Sequence, residues 1–143
     1  MYHYTETGLQ NVWLVNGYNV KKTSGGDAVS IENADGLHRA IGRVLARKSH
    51  LTASEFRFLR KELDLSQHRA ADLLGTSEQT VALWEKRGKI PKTADRMFRA
   101  IYLETIDGNV KLNELIERVA DLDRTADERL VFQDTEGVWL EAA

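Results

Sequence analysis

The stretch LSQHRAADLLGTSEQTVALWEKRGKIP, residues 65–91, carries the densest run of helix start and stop signals in the chain. Ser66 has a hydroxyl that can accept from an amide one turn further on, so it opens a helix that runs through Leu74. Gly75 can adopt the left-handed conformation that ends it. Ser77 opens a second helix carrying Thr80, Val81 and Trp84, and Gly88 closes that one. Two short helices therefore meet across a tight turn. Ala71 is small where they must approach, and Leu74 with Val81 can fill the wedge between them.

Helical signals continue on both sides. Upstream, Thr52-Ala53-Ser54-Glu55 spells a capping box and predicts a helix from Ala53 to about Leu63. Before it, Leu37, Ile41, Val44 and Leu45 recur at spacings of three and four, which predicts a helix from Asp35 to near Lys48 with these residues inward. Downstream of Pro91, Thr93 can cap a helix reaching about Ile106, with Met97 and Ile101 on its buried side and Phe98 as a further candidate. Asp107-Gly108-Asn109 breaks it. Leu112, Leu115, Ile116, Val119 and Leu122 mark an amphipathic helix over residues 111–122.

Both ends read as β-structure. Val12 to Val15 and Tyr18 to Val20 flank Asn16-Gly17, the dipeptide best suited to a type I′ hairpin turn, and Ala28 to Ile31 follow. Leu130 to Phe132 and Val138 to Leu140, around Asp134-Thr135-Glu136-Gly137, read as a terminal hairpin. That hairpin can extend the N-terminal sheet, pair across a dimer or stand as an edge. Trp84 is expected in the helical core, with Trp13 and Trp139 as buried anchors on strands. The expected fold class is mainly α with a small antiparallel β part. Residues 1–34 form a β-hairpin or meander, 35–107 the helical block with its leading helix, and 108–143 a helix plus hairpin for dimerisation or partner contact.

A chain of 143 residues with 42% apolar side chains suffices for one compact domain with a small appendage. It has no cysteine, which removes disulfides, thiolate zinc sites, iron–sulfur clusters and cysteine nucleophiles together. No apolar run approaches the roughly 18 residues that span a bilayer, and the opening residues lack the parts of a signal peptide. A soluble, cytoplasmic protein without membrane contact is expected. The net charge of −2 is unevenly divided. From His38 to Glu104 there are 14 Lys and Arg against 8 Asp and Glu; before that stretch the count is 2 against 4, and after it 4 against 10. A basic centre between acidic ends suits a part that meets phosphates, and it equally suits a globule with uneven solvated charge.

Enzyme chemistry finds little to work with. His3, His38, His50 and His68 are dispersed, without the spacing of a metal-binding pair, and neither a Walker loop nor a nucleophile elbow is present. Gly25-Gly26 reads as a turn. Asp121, Asp123 and Asp127 begin like a calcium loop, but Ala126 and Phe132 stand where Gly and a bidentate Glu are needed. No catalytic residue, metal site or cofactor is expected.

The paired helices can do something else. Such a helix-turn-helix can project Ser77, Glu78, Gln79 and Thr80 from its second helix into a major groove about 12 Å wide. Gln79 is the strongest candidate for base readout, because a carboxamide donates and accepts in one plane and so pairs with adenine N6 and N7. Glu78 can accept from cytosine N4 or cap its own helix. Ala82 and Thr80 can meet a thymine methyl, Thr80 alternatively serving its own helix. Lys86, Arg87, Lys89 and Lys92 follow where the DNA backbone should pass, and Ser66 lies at a second candidate phosphate position. Phosphate contacts of this kind add salt dependence but no sequence information. Arg57, Lys61, Arg96 and Arg99 either extend this basic face or are simply solvated.

Leu59-Arg60, Leu65-Ser66-Gln67, Ala71, Leu74-Gly75, Ser77, Thr80-Val81, Trp84-Glu85, Gly88 and Pro91 together resemble the Xre and phage-repressor family of helix-turn-helix regulators, over about residues 53–104. The resemblance implies a bundle of four or five helices that binds operator DNA, usually as a dimer. It makes Gln67 a phosphate and register contact, and Glu78, Gln79 and Ala82 the groove-facing set. Arg60 and Glu85 match a pair that in relatives ties the first helix to the end of the recognition helix; Arg60 can also present its guanidinium to a phosphate. Leu83 replaces the polar residue often found there in phage repressors, so it either meets thymine methyls or packs against a neighbour. Arg87 is one residue more than the commonest spacing before Gly88.

The layout of a β-rich start, a connecting helix and then this block is also similar to antitoxin regulators of the MqsA type, as are Tyr2-His3-Tyr4 and Asn11-Val12-Trp13. The zinc-binding cysteines of that group are absent. The expected function is that of a sequence-specific double-stranded DNA-binding regulator, an autoregulating repressor that binds a palindromic operator as a homodimer. The alternative is an antitoxin or interaction module that neutralises a cognate toxin protein, with DNA binding secondary.

Overall fold

The computed structural model describes residues 1–122 and 129–142. Its helices are α1 (Ala34–Ala46), α2 (Ala53–Glu62), α3 (Gln67–Leu74), α4 (Glu78–Arg87), α5 (Lys92–Ile106) and α6 (Leu112–Leu122). The strands are β1 (Tyr2–His3), β2 (Trp13–Leu14), β3 (Tyr18–Thr23), β4 (Gly26–Ile31), β5 (Phe132–Thr135) and β6 (Val138–Glu141), paired antiparallel as β1–β2, β3–β4 and β5–β6. The molecule is mainly α with small β pairs at its ends, as its sequence implies. Asp123 and Asp127 of the calcium-like spacing lie outside the described residues.

Helix boundaries in the central block follow the local signals. The Thr52 hydroxyl accepts from the Glu55 amide at 3.3 Å, while Glu55 Oε1 accepts from the Thr52 amide at 2.9 Å, completing the capping box. Burial pushes the Glu55 carboxyl up, but Lys48 Nζ at 2.7 and 2.8 Å and the Thr52 donors outweigh it and hold the group below its ordinary value. Ser66 accepts from the Arg69 amide and Ser77 from the Thr80 amide. Gly75 and Gly88 end α3 and α4 with φ of 70° and 76°, where a Cβ would be strained.

The core gathers around α2. Phe56, Leu59, Ala70, Val81 and Phe98 are fully enclosed. The Phe56 ring stacks on Phe98 at 4.5 Å and meets Trp84 edge-on at 5.9 Å. Leu9 from the N-terminal loop and Ile116 from α6 join the same cluster, so the flanks share the core of the helical block. The N-terminal segment is further tied down by Tyr4, whose Oη lies 2.8 Å from Nε2 of His38, and His38 Nδ1 lies 3.0 Å from Glu62.

Several sequence expectations move. On α1 the enclosed residues are Gly42, Leu45 and Ala46, whereas Val44 is 66% exposed. Gly42 sits under α5, where a Cβ would overlap the Tyr102 hydroxyl, so the close approach of the two helices selects this face. α5 starts on Pro91 with no side-chain cap, which displaces Thr93 from that role. Phe98, not Met97, faces its core.

The N-terminal strands do not form one meander. Asn16-Gly17 joins two separate pairs instead of closing a hairpin between β2 and β3, and the actual tight turn is Ser24-Gly25. Gly17, at φ 78°, still uses its conformational freedom, and its carbonyl accepts from the Glu32 amide at 2.8 Å to continue the β3–β4 ladder. At the C-terminus the turn is Glu136-Gly137, both at positive φ, so Asp134 and Thr135 enter the strand, and Leu130 and Val131 fall outside it. Trp84 is buried as expected. Trp13 is instead exposed and stacked on the His3 ring at 4.1 Å, because strand alternation turns its neighbour Leu14 inward; Trp139 is 70% exposed on a hairpin whose every strand residue is exposed.

Candidate nucleic-acid interface

α4 is held from behind and at its far end. Val81 and Trp84 point into the core. Glu85 receives the Arg60 guanidinium in two parallel bonds, Nε to Oε2 at 2.7 Å and Nη2 to Oε1 at 2.9 Å. Arg60 Nη1 also donates to the Leu65 carbonyl at 2.8 Å, and the residue is only 8% exposed. A planar fork with each of its three nitrogens engaged in this way fixes orientation; it ties α2, the α2–α3 turn and α4 into one unit. Arg60 and Glu85 thus form the ion pair, and three N–H groups of the guanidinium are spent inside the chain. Gln67 Nε2 approaches the same Glu85 oxygen at 3.4 Å, placing the start of α3 beside this anchor.

The opposite side of α4 is open. Glu78, Gln79, Leu83 and Lys86 are exposed and Ala82 half-buried. Their spacing of one, four, five and eight residues puts all five on one stripe of the helix. Leu83 is 44% exposed, so a large part of its apolar side chain faces solvent on this stripe. Ser77 and Thr80 belong to the cap: their hydroxyls lie 2.9 Å apart, and Thr80 is half-buried to the side of the stripe.

Lys86, Arg87, Lys89 and Lys92 are exposed, and among the described residues none has an ion-pair partner. Arg57, Lys61 and Arg96 are likewise exposed and unpaired among the described residues. Arg99 is different: its Nε meets Asp95 at 2.5 Å and its Nη1 the Lys48 carbonyl, closing the α1–α2 connection onto α5. Asp95 in turn accepts from the Leu51 amide at 2.7 Å. Ser66 is exposed but already caps α3.

One participant escapes the sequence reading. His68 lies 3.5 Å from Asp72 on its own helix and 3.8 Å from Glu78 across the turn. Its ring therefore stands beside the first residue of the outward stripe. The i,i+4 spacing to Asp72 is a visible signal, but the approach to Glu78 depends on how the two helices cross.

Residues 56–99 match the family model described as Helix-turn-helix. Together with the paired α3 and α4, this identifies the central block as an Xre-type helix-turn-helix domain, of the kind found in DNA-binding transcription regulators. It is not an enzyme family. No curated protein and no solved structure matches the chain. No helix of the described residues is long and apolar enough to cross a membrane, and among those residues no cluster of His, Asp and Glu is arranged to hold a metal ion.

Proposed function

We propose that the protein is a sequence-specific repressor that binds a palindromic operator as a homodimer and regulates its own gene in the cytoplasm. The carrying observation is the split character of α4, whose outward stripe of Glu78, Gln79, Ala82, Leu83 and Lys86 is turned to solvent while its inner face and far end are fixed. Gln79 reads adenine with its carboxamide, Glu78 accepts from cytosine N4, and Ala82 and Leu83 meet thymine methyls. Ser77 and Thr80 hold the tip of the helix against the groove edge. Lys86, Arg87, Lys89 and Lys92 neutralise the flanking backbone, with Ser66 and Gln67 fixing register on a second phosphate.

Residues 35–107 form the DNA-binding unit in this reading, and 108–143 bring two copies together. Two-fold symmetry then sets the recognition helices in successive major grooves, about 34 Å apart. A gel shift with the DNA upstream of the protein's own gene tests the proposal. Retention of that fragment over unrelated duplex of equal length supports it, and equal retention of both refutes sequence-specific repression.

A further inference from the structure

Every described residue of the C-terminal strands β5 and β6 is exposed. Their register puts Phe132 opposite Glu141 and Asp134 opposite Trp139 on one face, with Gln133 opposite Leu140 and Thr135 opposite Val138 on the other. Phe132, Val138, Trp139 and Leu140 are all at least half exposed. Among the described residues, no hydrogen bond, ion pair or ring contact ties β5 or β6 to a helix. A two-stranded hairpin standing alone in water is marginal at best, so this one requires a surface to rest on.

The same chain leaves a receptor of matching chemistry open. Between β2 and α1 runs an apolar groove of about 340 Å³, lined by Val12, Trp13, Leu37, Ile41, Val44 and Leu45. Trp13 and Val44 stand exposed along it. Arg47, three residues beyond Val44 on α1, is exposed and unpaired among the described residues. The charges are complementary. From Leu130 to Ala142 the hairpin carries Asp134, Glu136 and Glu141 with no Lys or Arg, whereas α1 and its C-cap present Arg39 and Arg47, both exposed, while Arg43 is already paired with Asp107 at 2.8 Å.

The geometry points to a reciprocal exchange in which the Phe132–Trp139 face of one copy's hairpin docks into the β2–α1 groove of a second copy. The aromatic pair fills the groove over Trp13 and Val44, and the acids flanking it, Asp134 and Glu141, reach Arg47. Donor and acceptor both belong to every chain, so in a reciprocal exchange the two copies satisfy each other and the contact closes as a two-fold dimer. Each half needs to bury only about 600–1,000 Å² to reach the roughly 1,200–2,000 Å² of a stable interface. This contact rests on the two-copy reading above and names the surfaces that join the copies.

The test is made without DNA on the full chain. Sedimentation of the wild type should give a dimer. Trp139→Asp and, separately, Val44→Asp should each weaken dimerisation by roughly 30-fold or more, the loss expected for a central apolar anchor. Both sites are exposed in the single chain, so circular dichroism should show unchanged helix content. The absence of cysteine permits a clean cross-link. A mixture of Val44→Cys and Glu141→Cys chains, treated with a short bis-maleimide, should give a covalent dimer that neither variant gives alone. A monomeric wild type, a dimer that survives both Asp variants, or no cross-link between Val44→Cys and Glu141→Cys chains in the mixture would overturn the exchange. Half-site DNA binding by the Trp139→Asp monomer would leave the operator reading intact. A dimer that exchanges hairpins but ignores DNA would sink that reading and not this one.

Discussion

The two ends of α4 are built on opposite plans. At the C-terminal end Trp84 is buried and Glu85 is clamped by a guanidinium that is itself enclosed. At the N-terminal end Glu78 and Gln79 stand in solvent, beside the Ser77 cap and the neighbouring His68. A helix fixed everywhere would present nothing to a ligand, and one free everywhere would present no defined geometry. The contrast shows how a ten-residue helix can hold its leading side chains at a set angle, while they remain available for contacts that the chain itself does not supply.

The sharpest way to break the contrast is to release the anchored end. Arg60→Ala leaves the Glu85 carboxylate enclosed without its partner, which should cost about 3–5 kcal/mol of folding stability. Urea unfolding measures the loss, and DNA affinity should fall with it on every sequence. Replacing both partners together, Arg60→Met with Glu85→Leu, should recover much of that stability, since no unpaired charge remains.

At the open end the expected result is reversed. Gln79→Ala should leave the unfolding curve unchanged and reduce binding by about 1–3 kcal/mol, with relaxed preference at one base pair. Competition assays with single-base operator variants read this directly. A smaller effect is expected beyond α4 at Lys89→Ala, which should weaken all sequences alike and lower the salt slope by about 1.

The smallest change is a control placed away from both ends. Because the Glu55 carboxyl titrates below its ordinary value of 4.5 in the folded chain, its contribution to stability is present above that pH and is lost as the pH falls through the lowered folded value. Glu55→Gln should therefore flatten the acid limb of the stability profile below about pH 4.5 without altering base preference. A shift of specificity in this variant would mean that α2 capping, and not the α4 stripe, sets the readout.

Legibility in the sequence follows the range of the forces involved. Thr52, Ser66, Gly75, Ser77 and Gly88 act within a turn of themselves, and each sits where its local chemistry implies. The outward placement of Gln79 follows from the same short-range logic, because Val81 and Trp84 fix which way the helix rolls. Other assignments depend on partners distant in the chain. Periodicity marks an apolar stripe on α1 but cannot tell that Gly42 must pass beneath Tyr102, so Val44 reads as core and is not. Asn16-Gly17 has the chemistry of a tight turn, yet β2 finds its partner in β1 and the dipeptide becomes a joint. The approach of His68 to Glu78 has the same origin, since the crossing of two helices is not written in either of them.

Selection of bound duplexes from a random-sequence pool tests the central claim most directly, because it asks whether the open end of α4 reads bases at all. The expected product is a two-fold symmetric consensus whose half-sites lie about 10 base pairs apart, with one conserved position that loses its preference in Gln79→Ala. A pool that emerges unenriched, bound only through salt-sensitive contacts shared by every sequence, would contradict it.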